Sequence, residues 1–113
     1  MSFLLLIVLL LPSPLTGKRV YVLITGSDRE NYSPRAETIH LFRKRCKEIT
    51  VTLKKEKAHY IIVHDDTGAG PGRKPQKIVV FNKDGDVIYS GATRSVRGAV
   101  KDACKAIRQD RIQ

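Results

Sequence analysis

The run Ala58 to Asp65, AHYIIVHD, limits the possible folds more than any other segment of the chain. It is apolar on both faces, as in a central strand with neighbours on either side. Arg19 to Thr25, RVYVLIT, is β-branched and aromatic and stops at Gly26-Ser27-Asp28, so it also reads as a strand. Ile49 to Leu53, ITVTL, alternates instead. Ile49, Val51 and Leu53 fall on one side and Thr50 and Thr52 on the other, which predicts a half-buried strand. Lys77 to Phe81 and Val87 to Ala92 flank Asn82-Lys83-Asp84-Gly85-Asp86. An Asp-Gly between two β-branched runs signals a hairpin with Gly85 at positive φ.

Two helices complete the pattern. Ser33-Pro34 is a start signal, because the hydroxyl satisfies an orphan amide and proline presets φ. Apolar residues then recur at Ala36, Ile39, Phe42 and Cys46, the spacing of one helix face. Arg43, Lys44, Arg45 and Lys47 crowd the last turn, where they favour the negative end of the helix dipole. Ser95 can cap a second helix with a stripe of Val96, Ala99, Val100, Ala103 and Ile107, and Cys104 beside it. Gly98 costs that helix about 1 kcal/mol relative to Ala. The order β-α-β-β-β-β-α predicts an α+β domain, a five-stranded mixed sheet with two helices on one face.

The N-terminus stands apart. Phe3 to Leu11 is an unbroken run of nine apolar residues, followed by Pro12-Ser13-Pro14 and Leu15-Thr16-Gly17. Crossing a hydrocarbon core takes about 20. The length, the helix-breaking prolines and the small Gly17 before Lys18 fit a signal peptide, with no Lys or Arg ahead of Phe3. A buried strand or helix this pure would need covering on all sides. The expected organisation is a signal peptide over 1–17 and one domain over 18–113, exported to the periplasm or secreted, with no transmembrane span in the mature chain. Cleavage removes no charged side chain, so the mature chain keeps the formal charge of +10.

Familiar catalytic and metal-binding patterns do not fit. Gly68-Ala-Gly-Pro-Gly-Arg-Lys lacks the spacing of a phosphate-binding loop and joins two strands, so no helix dipole points at a ligand. His59 and Asp65 project to one strand face, His64 and Asp66 to the other, which separates them as metal ligands. The Asn82 to Asp86 turn has its glycine at the wrong position for a calcium loop. No G-x-S-x-G elbow is present, and Cys46 and Cys104 lie on apolar helix faces instead of an exposed helix N-terminus. No catalytic, cofactor-binding or metal-binding residue is expected. The two cysteines sit on the core-facing sides of neighbouring helices, and export would place them in an oxidising compartment. A Cys46–Cys104 bridge would close a loop of about 59 residues and stabilise by about 4 kcal/mol; a pair of buried free thiols is the rival reading.

The positive charge is spread along the mature chain and favours adhesion to anionic material. With both helices on one face, the other face is open. By parity it carries Tyr21, Lys77, Phe81 and Tyr89, aromatics interleaved with bases, an arrangement shared by single-strand nucleic-acid platforms and by ordinary dimer faces. The RNA-binding run K/R-G-F/Y-G/A-F-V is missing.

RAETIHLFRKRCKEITVTLKKEKAHYIIVHDD and KIVVFNKDGDVIYSGATRSVRGAVKDACKAI together resemble a group of small, uncharacterised bacterial exported proteins, over about Val20 to Ile107. The shared features are the Arg35 to Phe42 helix, Cys46 just before ITVT, the AHYIIV strand, the FNKDGDVIYSG hairpin and the terminal KDAC. His59 departs from the pattern, in which Asp is common. The resemblance implies export, a small α+β domain and retention of both cysteines, and it implies no activity. The strand and helix order is also similar to domains of bacterial envelope assembly factors, a likeness of fold that carries no function. The functional expectation is a non-enzymatic binding protein of the bacterial envelope, touching a protein or an anionic surface. The alternatives are a nucleic-acid-binding module and an enzyme whose site has no familiar pattern.

Overall fold

A computed structural model describes residues 19–26, 34–66, 72 and 75–112. The expected signal peptide, Ser33 and the glycine-rich loop fall wholly or mostly outside the described residues. Five strands form one sheet: β1 (Val20–Thr25), β2 (Ile49–Val51), β3 (Tyr60–Asp66), β4 (Gln76–Asn82) and β5 (Val87–Thr93), in the order β2-β1-β3-β4-β5. β1 runs parallel to β2 and β3, while β3–β4 and β4–β5 are antiparallel. AHYIIVHD therefore lies at the centre of the sheet. Helices α1 (Pro34–Arg45) and α2 (Val96–Ile112) complete the expected α+β order.

Strand alternation decides which side the helices cover. Val20, Val22 and Ile24 of β1, Tyr60, Ile62 and His64 of β3, and Gln76, Ile78 and Val80 of β4 are all buried. All but His64 and Gln76 meet Phe42 of α1 and Val96, Ala99, Val100, Ala103 and Ile107 of α2 in one apolar cluster. Residues of opposite parity, such as Leu23, Ile61, Val63 and Val79, are half-buried on the open face. The Cys46–Cys104 disulfide joins the end of α1 to the middle of α2 across 58 residues of sequence, with Cα atoms 6.4 Å apart.

The local signals act as their chemistry suggests. Ser95 caps α2, its hydroxyl accepting from the Gly98 amide at 3.0 Å. Gly85 takes φ +86° in the β4–β5 turn, and the Asn82 side chain accepts from the Asp84 and Asp86 amides. Gly26 is needed for a different reason: a Cβ there would stand 1.9 Å from the His64 carbonyl oxygen.

Three sequence expectations are corrected. β2 ends at Val51, and Leu53 is 86% exposed instead of lying inside beside Ile49. The chain leaves the sheet there, turns through a short 3-10 helix at Lys55–Lys57, and crosses β1 to reach β3. The buried side of α1 is rotated from the expected stripe, since Ala36 is exposed and Thr38 is fully buried. Thr38 lies one helical turn before Phe42 and is held by a hydrogen bond to His64, so a polar contact sets the rotation. Third, Tyr89 lies on the helix-covered face. A β-bulge shifts the register of β5, so that Phe81 pairs with Val87 but Val80 pairs with Tyr89. One extra residue reverses the parity.

Candidate interaction face

The open face is built from the residues that strand parity turns away from the helices. On β1 these are Tyr21 and Leu23, on β3 Ile61, Val63 and Asp65, and on β4 Lys77, Val79 and Phe81. Of the four residues expected there, Tyr21, Lys77 and Phe81 share this face and Tyr89 does not. The Tyr89 hydroxyl donates to Asp102 of α2 at 3.2 Å, and a Cβ on Gly91 would meet that hydroxyl at 2.2 Å. Burial, then the Asp102 charge, raises its pKa. Tyr89 is a clamp between β5 and α2.

The three that remain are not one cluster. Phe81 stands opposite Ile61, whereas Lys77 stands opposite Asp65, four residues along β4. At strand rise that is roughly 13 Å. Tyr21 has partners that the sequence did not suggest. Its ring stacks on the His59 imidazole, with centroids 5.8 Å apart and planes at 27°, and the Lys57 ammonium sits 4.3 Å from its centre. His59 Nδ1 accepts from the Tyr21 amide at 3.0 Å, and the His59 amide donates to the Tyr21 carbonyl at 2.8 Å. The segment that crosses β1 thus roofs Tyr21.

Burial lowers the His59 pKa, and the charges of Arg111 and Lys83 lower it further. Arg111 and Lys83 are thus near enough to act on the imidazole. Lys55, Glu56, Ala58, His59, Ile61, Asn82 and Lys83 line a shallow depression of about 410 Å³ beside the stack, two cations to one acid. The site therefore offers a cationic, partly aromatic end and an aliphatic middle. His59, Lys57 and Lys83 were missed because their proximity to Tyr21 depends on the β1–β3 register, which no local pattern encodes.

Several polar side chains with structural partners face the helices. His64, 1% exposed, lies between Thr38 Oγ1 and Gln76 Oε1, each at 2.6 Å from a ring nitrogen. With Nε2 donating to Gln76, Nδ1 accepts from the threonine hydroxyl, and both ring nitrogens of a neutral imidazole are satisfied. Tyr60 donates to Asp110 at 2.5 Å, and Arg108 pairs with Glu48. That pairing holds the Glu48 carboxyl below its ordinary pKa. Among the described residues no three His, Cys, Asp or Glu side chains gather as metal ligands, and no helix is long and apolar enough to cross a membrane. No family model, curated protein or solved structure matches the chain.

Proposed function

We propose that this chain is an exported, non-enzymatic binding domain of the bacterial envelope whose open sheet face meets a protein or an anionic surface. The observation that carries the reading is the contrast on a single sheet: one face is covered by two helices, while the other leaves aliphatic residues and Phe81 half-buried beside Lys57, Lys77 and Lys83. Half-exposed apolar groups flanked by these lysines, with Asp65 opposite Lys77 and Glu56 beside the stack, suit a docking surface better than a solvated one. The groups with shifted pKa values support binding over chemistry, because they are dispersed. Tyr60 is held by Asp110 and Arg111, Tyr89 by Asp102 and Glu48 by Arg108, and His59 stands apart on the open face. The Cys46–Cys104 disulfide is compatible with an oxidising compartment. Against nucleic acid as the ligand, Tyr21 already has His59 on its ring and Lys57 over it, which leaves less ring surface for a base.

The test is cross-linking capture from envelope fractions with the wild-type chain, Phe81→Asp and Lys77→Glu, using Lys101→Glu on the outer side of α2 as a control. Captured material should be lost with the two open-face variants and kept with the control. Equal capture by all four chains would refute the assignment to this face. A steep fall of single-stranded DNA affinity with salt, abolished by Phe81→Asp, would support nucleic acid instead.

A further inference from the structure

The second unsatisfied surface lies at the edge of the sheet, away from the open face. β2 is an edge strand paired only with β1. Beyond it the chain bends at Leu53, where the Thr52 hydroxyl accepts from the Lys54 amide at 3.1 Å, and Lys54 has extended angles, φ −90° and ψ 110°. Thr52 donates its amide to the Val22 carbonyl at 2.8 Å, so the even-numbered residues of this stretch bond inward. Val51, of the other parity, directs its N–H and C=O groups away from β1. Among the described residues no further strand pairs with them.

A groove of about 610 Å³ runs between this edge and α1. Ile39, Val51 and Leu53 supply its apolar surface, and Arg19, Arg43 and Lys47 stand on its rims. No carboxylate is among its described lining residues. Glu48, the nearest acid in sequence, is held by Arg108. Edge strands are commonly blunted by shortness or by charge. Here the charges flank the edge while its apolar residue, Leu53, remains 86% exposed. The β5 edge differs, since the depression beside it includes the acid Asp102.

We infer that the edge of β2 is a strand-addition site for an extended protein segment carrying apolar and acidic side chains. Backbone groups of the incoming strand pair with the outward N–H and C=O of Val51. Its apolar side chains enter the groove against Ile39 and Leu53, and its carboxylates answer Arg19 on one rim and Arg43 and Lys47 on the other. This site is separate from the open face, so either assignment can fail without the other.

The probe is a capped octapeptide alternating Glu and Val, titrated into the full chain and followed by amide chemical shifts. Saturable shifts are expected at Ile49–Lys54 and along Ile39–Lys47. Val51→Pro removes an outward N–H without touching the Thr52–Val22 bond, and Leu53→Asp places a carboxylate in the groove. Each should weaken binding at least tenfold, on the order of 1.4 kcal/mol, with unchanged shifts elsewhere reporting a retained fold. Four results overturn the inference: no binding at millimolar peptide, equal binding of a Lys–Val octapeptide, equal binding of an octaglutamate, or shifts confined to Tyr21, Ile61 and Phe81. Concentration-dependent dimerisation abolished by Val51→Pro would show that a second copy of this chain takes the edge, and would also overturn it.

Discussion

The two faces of the sheet are made from the same five strands and obey different rules. On the helix side nearly every position is buried, and each polar group there has a designated partner: His64 with Thr38 and Gln76, Tyr60 with Asp110, Tyr89 with Asp102. On the open side the apolar residues are half-buried, Lys77 stands opposite Asp65, and Lys57 sits over the Tyr21 ring. The covered face is specified by packing and pairing, so substitutions there should be read as changes in stability. The open face contributes less to the fold and is free to be chosen for contact. Stability and binding are separated by strand parity alone.

The contrast is broken most strongly at the seam that holds the helices together. Reducing the Cys46–Cys104 bridge releases a long loop in the unfolded chain, and the chain-entropy relation gives about 4 kcal/mol. Urea unfolding with and without reductant should show a loss of that order, and the Cys46→Ala/Cys104→Ala double variant should lie near the reduced protein. A change below about 1 kcal/mol would mean that the helices are held by packing and not by the cross-link. The next largest effect compares adjacent residues. Ile62 is fully buried under the helices, whereas Ile61 faces the open side. Ile62→Ala should cost about 2–5 kcal/mol and Ile61→Ala under about 1 kcal/mol. Equal costs would mean that the open face is covered in solution.

A subtler comparison sets a buried polar contact against its apolar isostere. Thr38→Val keeps the shape but removes the hydroxyl that satisfies His64 Nδ1, and should cost about 1–3 kcal/mol. An unchanged unfolding midpoint would mean that the imidazole finds another partner.

These contacts also mark where the sequence stopped being readable. The alternation of ITVTL, the Asp84-Gly85 turn and the Ser95 cap are local, and local rules were enough to place the strands, the helices and the cysteine pair. Leu53 shows the limit of alternation. The pattern runs on to Leu53 although the strand ends at Val51 and the last bond to β1 is made by Thr52, because periodicity carries no information on where pairing ends. Tyr89 shows a second limit, since a bulge is a property of two strands in register and reverses parity without changing composition. Thr38 was passed over because a helix stripe is sought among apolar residues, yet this helix is rotated by a threonine whose partner lies 26 residues away. For the open face, Tyr21, Lys77 and Phe81 were legible from parity, while the His59–Lys57 cover on Tyr21 depended on the path of a crossing segment.

The smallest expected effect tests whether the polar pairs on the covered face act as clamps. Burial, and after it the hydrogen bond to Asp110, pushes the Tyr60 phenol up to about 12 from its ordinary value near 10. The folded protein therefore keeps this proton between about pH 10 and pH 12, while the unfolded chain gives it up. The unfolded state then binds fewer protons, so stability falls as pH rises through that window. The contribution is complete below about pH 10 and gone above about pH 12. Tyr89, raised in the same direction, adds to the slope. Tyr60→Phe cannot ionise, so its urea midpoint should fall less than that of the wild-type protein between about pH 9 and about pH 11.5. Parallel falls in the two proteins would show that Asp110 does not hold the phenol in solution. The end of α2 would then rest on β3 through Ile107 and its apolar neighbours, and the covered face would owe its order to packing with little from its polar pairs.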